Sequence, residues 1–184
     1  MKKFLALFIF FLLFGYGQPG FAEDKQLGTV MISFDFNRVT PDYANNQFAV
    51  WMEDMNGNLI KTIFVTQFTA KGGWDYRDDA LPTWTKKSRI STLKKKEVDA
   101  ISGATPKAQR LVYKWRGEDA ENRFLPAGEY RYVIEANYYW DAVVVHSGTI
   151  KIGDKRDRHR ADAGDSAKKY DIIENVSAEF IPLK

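Results

Sequence analysis

The stretch Asp99-Ala100-Ile101-Ser102-Gly103-Ala104-Thr105 sets a nucleophilic hydroxyl beside small residues and a carboxylate. Thr105 supplies a hydroxyl nucleophile. Gly103 and Ala104 leave the backbone beside it uncrowded. Asp99 and Ser102 can hold the loop by side-chain to backbone hydrogen bonds. Pro106 follows and biases Thr105 toward extended geometry. The same residues also suit a structural turn entering a strand at Arg110, and on residue types alone both readings stand. Upstream, Lys86, Lys87, Arg89, Lys94, Lys95 and Lys96 place six cations before Glu97, an attraction for a phosphate or an anionic partner. Trp74, Tyr76 and Trp84 share that region and offer faces for stacking a planar ring. A solvated helix face and a set of core aromatics would look alike here.

Other chemistry finds little support. The two histidines, His146 and His159, are not at metal-ligand spacing, and the absence of cysteine removes thiolate nucleophiles and thiolate metal sites. There is no G-x-S-x-G elbow and no phosphate-cradling loop with its lysine. Asp78-Asp79 is a carboxylate pair with no pocket argument behind it. The chain is expected to have no catalytic constellation and no metal site.

The elements that must position Thr105 are strands. Phe4 to Phe14 is an apolar run behind Lys2 and Lys3, and Gly20-Phe21-Ala22 completes a secretory signal peptide with cleavage expected after Ala22. The run is short for a membrane span. Across the chain 27 basic residues face 24 acidic ones, and the loss of Lys2 and Lys3 brings the two near balance, which argues against nucleic-acid binding. Period-two alternation marks strands at 29–36, 48–53, 59–66, 110–115, 129–137, 142–152 and 177–183. Asn56-Gly57 is a hairpin turn between the second and third. The expected fold is all-β, an antiparallel Ig-like sandwich of about seven strands forming a single domain over 23–184. One long insertion at 69–108 contains a short helix from Pro82 to about Arg89. The polar stretch 153–169 reads as a solvated loop.

Three resemblances add to this. Trp115-Arg116-Gly117-Glu118-Asp119 with Pro126-Ala127-Gly128-Glu129-Tyr130 resembles the hairpin in the Ig-like domain of the flagellar hook-capping protein and implies only fold. Phe48-Ala49-Val50-Trp51-Met52-Glu53-Asp54, Leu81-Pro82-Thr83-Trp84, Asp99 to Thr105 and Pro126-Ala127-Gly128-Glu129-Tyr130 together resemble domain-of-unknown-function family 2271, a family of predicted periplasmic proteins. Asp99 to Thr105 is also similar to the D-x-x-[ST]-G-A-T acceptor of bacterial flavin transferases. That resemblance implies covalent FMN at Thr105, with Asp99, Ser102, Gly103 and Ala104 shaping the acceptor. It implies an envelope flavin transferase and a membrane redox partner. The alternative is a cofactor-free binding or adaptor module that meets another envelope protein through Lys94, Lys95 and Lys96.

Overall fold

A computed structural model describes residues 25–38, 46–139 and 142–184. The signal-peptide expectation therefore lies outside the described residues. Strands β1 (Gly28–Phe36), β2 (Phe48–Glu53) and β3 (Leu59–Thr66) come first. Helices α1 (Pro82–Ser88) and α2 (Lys95–Ile101) follow. Then come β4 (Ser102–Gly103), β5 (Gln109–Trp115), β6 (Gly128–Tyr139), β7 (Ala142–Ile152), β8 (Asp157–Arg160), β9 (Asp162–Ala163) and β10 (Ile173–Pro182). One sheet has the order β5-β1-β10-β8 and the other β4-β3-β2-β6-β7-β9. All pairings are antiparallel except β3 with β4. The all-β sandwich expected from the alternation is what the chain forms.

The alternation explains the layering. Val30, Ile32, Phe34 and Phe36 on β1 point at Phe48, Val50 and Met52 on β2 and Tyr132 and Ile134 on β6 to make the inter-sheet core. Rings interlock there: Phe34 meets Phe48 edge-on at 5.7 Å and Phe64 lies 4.9 Å from Tyr113. The other face of the six-stranded sheet is covered by the insertion. Ala49, Trp51, Val65 and Val133 pack there against Leu81, Trp84 and Ile90. Both faces of β2 are thus covered, and all six of its residues are buried.

The hairpin between β5 and β6 closes one end of the sandwich. Trp115 and Tyr130 meet edge-on at 5.6 Å, and Trp115 Nε1–H donates to the Glu118 carbonyl at 2.7 Å. The turn takes its positive φ at Gly117 (85°) and at Asn122 (63°), so the Asn fills the place where a glycine is usual. Asp119 ties it by accepting the backbone N–H of Glu121 and of Arg123, both at 2.9 Å.

Three expectations change. Among the described residues the strands number ten, where about seven were expected. Beyond α1 the insertion holds α2, shorter helical turns at Thr69–Gly73, Trp74–Tyr76 and Ile90–Thr92, and the short strand β4. The stretch 153–169 is not a solvated loop: β8 pairs with β10 in one sheet and β9 pairs with β7 in the other, so this segment crosses between the sheets. Its side chains are polar because both short strands lie at sheet edges, where outward groups meet water.

Candidate functional site

The Asp99 to Thr105 string leaves α2, pairs with β3 and crosses toward β5. Ser102 and Gly103 lie beside Val65 and Thr66 in the parallel β4–β3 pairing. Gly103 sits tightly against Phe64: a Cβ there would come within 2.7 Å of Phe64 Cε2, and the ring would have to shift. Asp99 pairs with Lys71 at 2.7 Å. The Lys71 hydrogen bond holds the Asp99 carboxyl below its ordinary range. Ser102 Oγ is buried with no hydrogen-bond partner among the described residues. Ala104 is exposed and Thr105 half-buried in an irregular stretch. Among the described residues the Thr105 side chain makes no hydrogen bond. A structural turn thus accounts for Asp99 and Gly103 but gives the Thr105 hydroxyl no task.

Lys94, Lys95 and Lys96 are exposed at the start of α2. The Lys94 N–H donates to Glu97 Oε2 at 2.6 Å, which begins the helix. Cations in a first turn oppose the helix dipole, so local stability does not explain these lysines. Lys87 has a different role. It reaches Glu53 Oε1 at 2.7 Å and the Gly57 carbonyl at 2.6 Å, and the same Glu53 oxygen accepts Trp51 Nε1–H at 2.7 Å. Arg89 ends α1 at φ 51°.

The aromatics expected to stack on a ring separate. Trp84 is fully buried, with its indole N–H on Thr62 Oγ1 at 3.1 Å, and no ligand can stack on it. Trp74 is half-buried against the same layer, while Tyr76 is 81% exposed. Toward FMN, the attachment hydroxyl fits and the Trp84 platform does not.

One determinant of this region was missed. Glu135, fully buried on β6, reaches across to α1 and accepts the N–H of Thr83 at 3.0 Å and of Trp84 at 2.7 Å. Pro82 has no N–H, so this carboxylate satisfies the next two orphan donors of the helix. Burial pushes its pKa up, and the two backbone hydrogen bonds work in the opposite direction. The signal in the sequence was a carboxylate in the run Tyr132-Val133-Ile134-Glu135-Ala136, where neighbours on both faces are apolar.

A hollow of about 960 Å³ runs along α2, between β3 and the β5–β6 hairpin. Leu59, Ile63, Leu93 and Ile101 form its apolar wall, and Glu118 meets Lys61 at 3.3 Å on the other side. The motif reaches this hollow only through Ala100 and Ile101. Among the described residues no group of His, Cys, Asp and Glu is placed to hold a metal ion. No helix among them is long and apolar enough to cross a membrane.

The residues that stood out in the sequence therefore do two jobs. Phe48 to Glu53, Leu81 to Trp84 and Gly103 fasten the insertion to the sheet, and Thr105 is left accessible beside them. No curated protein and no solved structure matches the chain. The family described as "Predicted periplasmic protein (DUF2271)" matches residues 29–169, most of the chain, and the protein belongs to that family.

Proposed function

We propose that this is an exported carrier of FMN joined through its phosphate to Thr105. The observation that carries the reading is the state of Thr105: a half-buried hydroxyl, without a hydrogen-bond partner among the described residues, next to exposed Ala104. The backbone before it is fixed by β4 and by the seat of Gly103 on Phe64. An acceptor of this kind needs a presented hydroxyl and a defined backbone, and both are supported here. Bound FMN would supply electron transfer, while the protein supplies position and local charge. Lys94, Lys95 and Lys96 supply positive charge on the helix that leads into the motif. A membrane redox partner would exchange electrons with the flavin.

The test is intact mass after co-expression with an envelope flavin transferase. Wild type should gain the mass of one FMN and Thr105→Val should gain none. An unmodified wild type, or a Thr105→Val variant that is still modified, overturns the reading. The seclusion of Trp84 favours a second reading, a cofactor-free adaptor that uses the lysines of α2 as its contact. Partner recovery from envelope extract should then fall when Lys94, Lys95 and Lys96 become Glu, with or without flavin, and unchanged recovery counts against it.

A further inference from the structure

The outer face of the four-stranded sheet carries a hollow of about 540 Å³ that neither reading uses. Arg110 from β5 and Arg158 and Arg160 from β8 line it, with Asp35, Asn175 and Ser177. Register explains how these meet. Val176, Ala178 and Phe180 on β10 point into the core, so Ser177 and Glu179 point out. Arg160 pairs with Ser177 and Arg158 with Glu179, which places both arginines on the outer face. Arg110 pairs with Asp35 across β1 and approaches from the opposite edge. The two edges are three strand spacings apart, about 14 Å; Arg110 reaches inward to Ser33, and Arg158 and Arg160 line the hollow from the other edge.

The charges on this face do not close. Asp35 is taken by Arg110 Nη1 at 2.9 Å and by Asn175 Nδ2 at 2.7 Å. Those two hydrogen bonds hold its carboxyl below the ordinary range. Glu179 is taken by Arg156 at 2.7 Å and Glu174 by Asn37 at 2.8 Å. Arg158 and Arg160 are left without a carboxylate partner among the described residues. The centre of the hollow is a hydrogen-bonded row of donors and hydroxyls. Arg110 Nη2 donates to Ser33 Oγ at 2.9 Å, and Ser33 Oγ and Ser177 Oγ share a hydrogen bond at 3.1 Å. Asn175 holds a left-handed φ of 51°, beside the register shift between Ser33 and Asp35, and from there its amide reaches Asp35. A non-glycine residue held at positive φ is costly and is kept where the surroundings fix it.

We propose that this hollow binds a phosphate-bearing anion. One guanidinium fork satisfies a carboxylate, whereas donors arriving from two opposite strands with hydroxyls between them suit the several acceptor oxygens of a phosphate. The ligand is a soluble phosphate compound or the phosphate of a lipid headgroup.

The test uses the purified protein at low ionic strength. One arm titrates inorganic phosphate and follows the side-chain Nε–Hε signals of Arg158 and Arg160 and the Ser177 amide by NMR. The other arm measures binding to vesicles of phosphatidic acid in phosphatidylcholine against phosphatidylcholine alone. Binding in the first arm assigns a soluble ligand, and binding confined to the second assigns a headgroup. In either arm the double variant Arg158→Ser, Arg160→Ser should lose about tenfold or more in affinity. Lys86→Ser, which removes an exposed cation on α1 outside the hollow, should change affinity by no more than about twofold. Both arginines of the double variant are exposed, and an unchanged circular dichroism spectrum checks its fold. Absence of binding in both arms, or a double variant that binds as wild type does, overturns the proposal.

Discussion

The two faces of β2 back onto two different kinds of core. Phe48, Val50 and Met52 enter the inter-sheet core, which is closed by apolar and ring contacts. Ala49, Trp51 and Glu53 enter the layer beneath the insertion, where both buried tryptophans also make a directed bond. Trp51 and Lys87 share Glu53, Trp84 bonds Thr62, and Glu135 holds the start of α1. Apolar burial is non-directional and accepts conservative exchanges. Buried hydrogen bonds accept few, since a lost partner leaves a desolvated group behind. The first core therefore keeps two sheets together, and the second holds the insertion in one pose and so sets where Thr105 lies.

The strongest break of that contrast is Trp84→Ala. Truncating a buried Trp costs about 3–5 kcal/mol, and here it also frees Thr62 Oγ1. Urea denaturation should show the loss. Hydrogen exchange should place it first in the insertion and later in β1, β6 and β10. Phe34→Ala in the inter-sheet core should cost a similar amount, about 3–5 kcal/mol, yet open both sheets together. If the two variants give the same exchange pattern, the two cores are one cooperative unit and the distinction fails.

A finer comparison comes from two buried titratable groups on neighbouring strands. Ile134 pairs with His146 and Glu135 with Val145, so Glu135 faces the insertion and His146 faces the inter-sheet core. Burial lowers the His146 pKa, partly offset by a backbone hydrogen bond with Ile173, and its Nε2 has no partner among the described residues. The folded state thus binds fewer protons than the unfolded one below the ordinary His range, and His146 withdraws stability as the pH falls through it. Glu135 runs the other way. Its raised pKa means that the folded state binds more protons, so its contribution declines as the pH rises from the ordinary glutamate range through the raised value. Glu135→Gln should cost about 1–3 kcal/mol, with the deficit largest at acid pH and smaller above the raised value. His146→Leu should flatten the acid limb, by an amount on the order of 1 kcal/mol. Denaturation curves across pH for both variants check the signs. Deficits that move with pH in the same direction would show that one of the two groups is misassigned.

The same contrast governs what could be read in advance. Strand β1 was legible because one apolar face and one wetter face give period two, and the observed β2, β3 and β7 have the expected bounds although both faces of β2 are buried. The layer under the insertion was less legible. No residue of α2 is fully buried, and only Val98 and Ile101 touch the layer, which is too little for a helical period. The tie from Glu135 to Thr83 and Trp84 spans about fifty residues and leaves no local pattern. Edge strands β8 and β9 were invisible for the reason already given: backbone pairing fixes them while their side chains stay in water. The motif was legible as a string but not as a set of roles. Only three-dimensional contact separates Gly103, held by Phe64, from Thr105, held by no hydrogen bond through its side chain.

The smallest expected effect bears on the lysines of α2. Lys94 occupies the cap position, and Lys95 and Lys96 the first turn, of a seven-residue helix. A cation there works against the helix dipole, and Lys94 is not a favoured capping residue. Lys94→Ser should therefore stabilise the protein, by about 0.5–1 kcal/mol. Lys96→Glu should add roughly 0.3–1 kcal/mol at low salt. Lys95 is left in place because its charge attracts Asp99. Thermal melts at low and high salt read both effects, and the Lys96→Glu part should shrink as salt screens it. A gain in stability together with a loss of flavin loading or partner recovery would show that the lysines are kept at a cost to the fold. A loss of stability would mean that they are part of the fastening of the insertion, as Lys87 is, and would remove them from the candidate site.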